Sequence, residues 1–228
     1  MKMTQDEIYR MRKEFFNEHA DQWLDMWYKN QATGLCDKHG KDFERLFSLL
    51  PLKPGDRVLD VGCGTGILVQ FVLDRITSSG ILYELDFAEK MIEANQSLHE
   101  DQNIRFIIAD AENAPLDDIV CDAVICFSCF PHFHDKEKAT MALSQSLKPL
   151  GAFVVSHFDS SEGINKHHGS CHAVMHDHLP DETSMRALLL KAGLHIKLFI
   201  DEPGFYCIVA EKQSPEYNYV THDAHVCG

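Results

Sequence analysis

The stretch Asp60-Val-Gly62-Cys-Gly64-Thr-Gly66 constrains this chain more than any other feature. The run before it, Arg57 to Val61, is short, apolar and β-branched, as a buried strand should be, and Ile67 to Ile76 has helical spacing. Glycines at such a strand-to-helix junction let the backbone turn at positive φ and let a ligand come close to main-chain N–H groups. The dinucleotide fingerprint GxGxxG is not met, because the third glycine comes one residue early and Ile67 stands in its expected place. With Asp60 directly ahead of the loop, the spacing points away from a pyrophosphate-bearing dinucleotide and toward a smaller ligand.

The alternation of apolar runs and helical windows continues down the chain. Strands are expected at Ile81 to Leu85, Ile104 to Ile108, Ala123 to Phe127, Ala152 to His157, His195 to Ile200 and Phe205 to Ala210, with helices at Ala88 to His99, Lys136 to Leu147 and Asp181 to Ala192. Near-continuous apolar strands separated by helices imply a parallel sheet covered on both faces. The expected fold is α/β, a doubly wound, seven-stranded, mostly parallel sheet. Asp201-Glu-Pro-Gly204 is too short for a crossover, so the last pair should be antiparallel. Ahead of the sheet, Ile8, Met11, Phe15, Trp23, Met26 and Trp27 recur at helical spacing, and a second helix near Lys41 to Leu50 stops at Pro51 and Pro54-Gly55. The organisation expected is a helical lid over 1–50, the main domain over 51–212 with an insertion at 158–180, and a tail over 213–228 carrying His222, His225 and Cys227.

Composition removes several classes of partner. With 21 Lys+Arg against 35 Asp+Glu the formal charge is −14, which repels nucleic-acid phosphates and anionic lipid alike. No window approaches the roughly 20 apolar residues of a membrane span, and the first residues lack the apolar core of a signal peptide. A cytoplasmic, monomeric or homodimeric protein with a small-molecule partner is the expectation, and its cysteines, irregularly spaced, are expected as thiols.

Two further carboxylates fall in step with the glycine loop. Asp86 closes the second strand, twenty residues beyond Gly66, where a carboxylate can accept both hydrogens of a ribose diol, and Asp110 follows the third strand. Any one aspartate after a strand could simply cap a helix. Three in succession at strand ends, beside a glycine turn, favour a cofactor site.

The wording Val58-Leu-Asp-Val-Gly-Cys-Gly-Thr-Gly66, with Leu82-Tyr-Glu-Leu-Asp86, Phe106-Ile-Ile-Ala-Asp110, Cys121-Asp-Ala-Val-Ile-Cys-Phe-Ser128 and Leu147-Lys-Pro-Leu-Gly151, resembles the class I S-adenosylmethionine-dependent methyltransferases, particularly the ubiquinone-biosynthesis type. The resemblance covers about Phe15 to Lys212. It implies methyl transfer to a small molecule with S-adenosylmethionine as donor. The glycines Gly62, Gly64 and Gly66 would pass under its methionyl part, Asp60 would help hold its amino group, Asp86 its ribose, and Asp110 and Ala111 its adenine. Cys63, Phe87 and Phe127 join the cofactor-binding set, and Phe16 and Trp23 belong to a stretch resembling a lid over the cofactor. Leu150 departs from the usual Lys-Pro-Gly-Gly.

The acceptor is less legible. Six of the 14 histidines lie between His157 and His178. They could form a polar lid of solvated or turn-capping side chains. They could supply a base, His157 or His167. Or they could bind a transition metal, with His172 and His176 on one helical face and Cys171, His167 or Asp177 completing the shell. Within the same region Asn165, His167, Asp177, Leu179 and Pro180 match a stretch seen in similar bacterial enzymes, while His132, in a stretch that often contains histidine, says little about substrate. Cys126, Cys129 and Cys171 near the expected pocket raise the alternative of a thiol or metalloid (arsenic, selenium) methyltransferase, and the His-rich 157–178 segment raises that of a metal-binding protein.

Overall fold

A computed structural model describes residues 3–214. The tail expected over 213–228, with His222, His225 and Cys227, lies outside the described residues from position 215 onward.

Seven strands form one sheet in the order β3-β2-β1-β4-β5-β7-β6: β1 Arg57–Val61, β2 Ile81–Asp86, β3 Ile104–Ile108, β4 Cys121–Phe127, β5 Leu147–His157, β6 Leu194–Glu202 and β7 Phe205–Lys212. The first five are parallel, and β7 runs antiparallel to both β5 and β6. This is the doubly wound α/β sheet that the alternating pattern predicts. The chain reverses its strand order at β1 and β4, and the carboxyl ends there open the crevice in which such sheets bind ligands.

Period-two alternation sorts the side chains to the two faces. Leu59, Val61, Leu85, Val124, Cys126, Phe153 and Val155 join one apolar cluster, and Val58, Leu82, Ala123, Ile125, Phe127 and Val154 join the other. α4 (Val69–Ile76) packs Val69, Val72 and Ile76 into the second cluster, and α3 (Gly40–Leu49) adds Phe43, Leu46 and Phe47. Asp60 and Glu84 share the parity of Val58 and Leu82, so both carboxylates are forced onto this apolar face.

The amino-terminal residues form α1 (Gln5–His19), a 3-10 turn (Ala20–Gln22) and α2 (Trp23–Trp27). α1 starts at a capping box in which Thr4 and Glu7 exchange hydrogen bonds. It docks on the sheet's carboxyl edge by polar contacts: Tyr9 Oη donates to Asp110 Oδ1 at 2.6 Å and Lys13 Nζ to Glu89 at 2.6 Å. Glu89 opens α5 (Glu89–Leu98).

Within the insertion the structure departs from the sequence reading. A helix, α7 (Ser161–Ser170), forms where glycines obscured the periodicity, started by Ser160, whose Oγ accepts from Gly163 N at 3.2 Å. The helical spacing assumed for His172 and His176 is not realised, because that segment runs as turns. Asn165 explains this: its side chain accepts from Leu179 N at 2.8 Å and donates to Leu179 O at 3.0 Å, folding the segment back onto α7. At Leu147-Lys-Pro-Leu-Gly151 the chain bulges out of register with β4, and Leu150 adopts φ 65. The remaining helices are α6 (Lys136–Gln145) and α8 (Glu182–Lys191).

Candidate active site

A cavity of about 920 Å³, counted to its open mouth, lies between the strand ends of β1, β2 and β4 and the amino-terminal helices. Asp60, Gly62, Cys63, Gly64, Asp86, Phe87, Asp110, Ala111 and Phe127 all line it, as do Phe16 and Trp23. Gly66 is not in its wall. A Cβ there would lie 2.7 Å from Asn95 Cγ, and φ is 85, so this glycine serves close packing of the turn on α5. Gly64, by contrast, has open space toward the cavity, its nearest prospective neighbour being Trp23 Nε1 at 3.7 Å.

Asp86 holds the glycine turn. Its Oδ2 accepts from Gly64 N at 2.9 Å and its Oδ1 from Ala88 N at 2.8 Å, leaving one further lone pair on each oxygen. Burial outweighs these bonds and raises its pKa to about 6. Asp60 and Glu84 are register partners on β1 and β2, both buried. Asn95 Nδ2 donates to Glu84 Oε2 at 2.6 Å, but Glu84 Oε1 and Asp60 Oδ2 are buried without a hydrogen-bond partner. Burial pushes Glu84 up to about 7, and burial with the neighbouring carboxylates pushes Asp60 well above the usual carboxylate range. The wall around Asp60 is thus rich in carboxylates and lacks a balancing cationic side chain among the groups that act on it.

Residues 59–155 match a family model described as a methyltransferase domain. Over these residues the chain is similar to the class I S-adenosylmethionine-dependent methyltransferases. It is 27% identical over 156 residues to the 27-O-demethylrifamycin SV methyltransferase of Amycolatopsis mediterranei, covering 63% of this chain and 56% of that protein. It is 36% identical over 115 residues to the malonyl-[acyl-carrier protein] O-methyltransferase of Acetivibrio thermocellus, covering 50% of this chain and 40% of that one. The chain therefore spans about half the length of the curated relatives it matches. The fold is similar to that of magnesium protoporphyrin IX methyltransferase from Synechocystis, solved with bound SAH: the TM-score is 0.66 at 19% identity, over 88% of this chain and 98% of that one.

Several methyltransferase features expected from sequence are placed elsewhere. His157 is buried at the end of β5, outside the cavity wall, with its ring 6.2 Å from that of Tyr206 and Nε2 unpartnered. Burial, then His132 and His168, depress its pKa to about 3. His167 is exposed and meets Trp27 edge-on, also outside the wall. His172 and His176 are exposed on turns, and among the described residues no three His, Cys, Asp or Glu side chains converge as a metal site would require. Cys126 is core, and Cys171 stands outside the cavity wall. Cys129 lines the cavity but donates to Val61 O at 2.9 Å, and burial with neighbouring Cys126 raises its thiol pKa well above the usual value, so it is no nucleophile. Among the described residues this placement gives the thiol, metalloid and metal readings no support.

The histidines that do reach the cavity are His132 and the exposed His134, and Arg12 and Tyr9 from α1 join them there. No sequence signal marks Arg12 or Tyr9, which sit at helical positions indistinguishable from solvated ones. Asp177 could be singled out as part of the Asp-x-Leu-Pro turn and as a possible metal ligand, but not as the partner of His132 and Arg12.

Proposed function

We propose that this chain is an S-adenosylmethionine-dependent methyltransferase that acts on a small molecule held between the strand ends and the amino-terminal helices. The observation that carries the reading is Asp60: a buried carboxylate in the cavity wall, with an unpartnered oxygen and anionic neighbours, suits a ligand bearing positive charge. S-adenosylmethionine supplies, when bound, a sulfonium-activated methyl group and a cationic ammonium, which meets that requirement.

Asp60 would take the ammonium, and the turn Gly62 to Gly64 would lie under the methionyl chain. Asp86 would accept from the ribose through its remaining lone pairs while still bracing Gly64, and Asp110 with the Ala111 amide would read the adenine edge. Cys63, Phe87 and Phe127 would close the apolar walls. α1 and α2 cover this cavity with Phe16 and Trp23, which exclude water and hold the acceptor in line, and alignment of that kind can supply about 7–11 kcal/mol.

Calorimetric titration with S-adenosylhomocysteine tests the cofactor assignment. Saturable binding that weakens at least tenfold in Asp60→Asn supports it. A folded sample silent at millimolar ligand would refute it.

A further inference from the structure

His132 ends the 3-10 turn Phe130–His132 after β4. Its Nδ1 lies 2.7 Å from Asp177 Oδ2, and the other Asp177 oxygen pairs with Arg12 Nη2 from α1. Arg12 Nη1 also donates to His132 O at 2.6 Å, so the guanidinium spans both partners. Asp177 is buried, and its main-chain oxygen is 2.9 Å from His168 Nδ1. Three segments remote in sequence therefore meet at one carboxylate. An ionised carboxylate only accepts, which puts the neutral imidazole's proton on Nδ1 and leaves a lone pair on Nε2. That nitrogen has no hydrogen-bond partner among the described residues, and His132 is part of the cavity wall.

We infer that His132 is the base that removes the acceptor's proton during methyl transfer, that Asp177 and Arg12 position it, and that the acceptor is consequently a hydroxyl compound of phenol-like acidity. The inference rests on the methyltransferase reading above. As the acceptor oxygen's lone pair forms the new bond to the methyl carbon and the carbon–sulfur pair stays on sulfur, the hydroxyl proton passes to His132 Nε2. A phenol with a pKa near 10 is only about 0.1% ionised at neutral pH, so a base at this place is useful, whereas a thiolate largely ionised at the same pH would gain little.

The charges facing His132 suit a base that must begin neutral. Arg12 balances Asp177, and Lys136 adds a second cation, while His168 lies 5.0 Å away ring to ring and His157 also faces it. Burial above all, with Arg12 and Lys136, holds the imidazole pKa below its usual value, although Asp177 pulls the other way. Once protonated, the imidazolium sits against Asp177. Because Arg12 belongs to α1, the base is fully oriented only when that helix is docked.

Two measurements test this on the whole chain, the first with S-adenosylhomocysteine bound and the second turning over with S-adenosylmethionine as donor. Long-range proton–nitrogen spectra of the imidazoles should show His132 neutral at pH 7 as the Nδ1–H tautomer, shifting to a mixture in Asp177→Asn. A protonated His132 at pH 7, or an Nε2–H tautomer, would overturn the inference. Product S-adenosylhomocysteine is then followed with phenol, catechol and thiophenol as probes. His132→Gln should lower turnover of the hydroxyl probes about 100-fold while changing that of thiophenol and the affinity for S-adenosylhomocysteine less than about threefold. Equal loss with both probe types, or turnover of the thiol alone by the unaltered protein, would overturn it. Absence of S-adenosylhomocysteine binding would instead defeat the cofactor reading, so the two failures are separable.

Discussion

Asp60 and Glu84 stand at the same register on the adjacent parallel strands β1 and β2, both within the apolar face of the sheet, and each keeps one buried oxygen without a hydrogen-bond partner. In the cofactor-free protein this arrangement is relieved by protonation. Glu84 has a folded-state pKa of about 7 against 4.5 for the unreacted side chain, chiefly from burial. Because the folded value is the higher, its contribution to stability is fully present below about pH 4.5 and is lost as pH rises through about 7.

Glu84→Gln, which keeps the shape and an acceptor for Asn95, should therefore flatten the decline in thermal midpoint between pH 5 and 8. His157 and His168, with pKa values lowered to about 3 and about 4, act in the opposite sense: their contribution is lost as pH falls below about 6.5. The difference between the variant and the unaltered protein, measured pH by pH, isolates Glu84. A constant difference across that range would show that Glu84 is already ionised in the folded state.

The same pair makes ligand binding proton-linked. A cationic ligand beside Asp60 should displace the protons that otherwise neutralise Asp60 and Glu84. The calorimetric enthalpy of S-adenosylmethionine binding at pH 6.5 is then expected to vary with the ionisation enthalpy of the buffer, reporting net proton release. Asp60→Asn should abolish most of that variation.

The glycine turn separates packing from binding. Gly66→Ala places a methyl group against Asn95 at positive φ and should destabilise by about 2–4 kcal/mol, read from urea unfolding. Gly64→Ala meets only ordinary contacts with Trp23 and Met91, so its loss of stability should stay at the about 1–2 kcal/mol of the positive φ while it obstructs the cavity and weakens S-adenosylhomocysteine binding. Equal destabilisation by both substitutions would contradict this division.

Leu150 holds φ 65 with 64% of its surface exposed, so its side chain contributes little while its backbone is strained. Leu150→Gly removes a left-handed penalty of about 1–2 kcal/mol at an entropic disadvantage of about 0.5–1 kcal/mol. The net expectation is stabilisation by about 0.5 kcal/mol, visible as a rise in thermal midpoint of about 1–2 °C.

Tyr9 joins α1 to the end of β3 through Asp110. Tyr9→Phe deletes a hydrogen bond to a charged group, a loss of about 1.5–3 kcal/mol when such a bond is well formed. Faster hydrogen exchange along α1, with the sheet unchanged, is the expected result. Unaltered exchange would mean that Arg12, through Asp177 and His132, and Lys13 and Asn17, through Glu89 and Lys90, hold the helix without it.

By itself the sequence determined the order of strands and helices, the sharp turn at Gly62 to Gly66 and the carboxylates Asp60, Asp86 and Asp110 at successive strand ends. These signals are local: apolar periodicity, glycine at positive φ and an acidic residue at a fixed offset act within a few residues of chain. Packing decided the rest. Whether a histidine becomes core, surface or cavity wall depends on which elements close over it, and no spacing separates buried His157 from exposed His167 or from His132 at the cavity. Likewise Arg12, His132 and Asp177 meet only because α1, the turn after β4 and the turn clasped by Asn165 dock against one another, a contact between segments whose separation along the chain hides it.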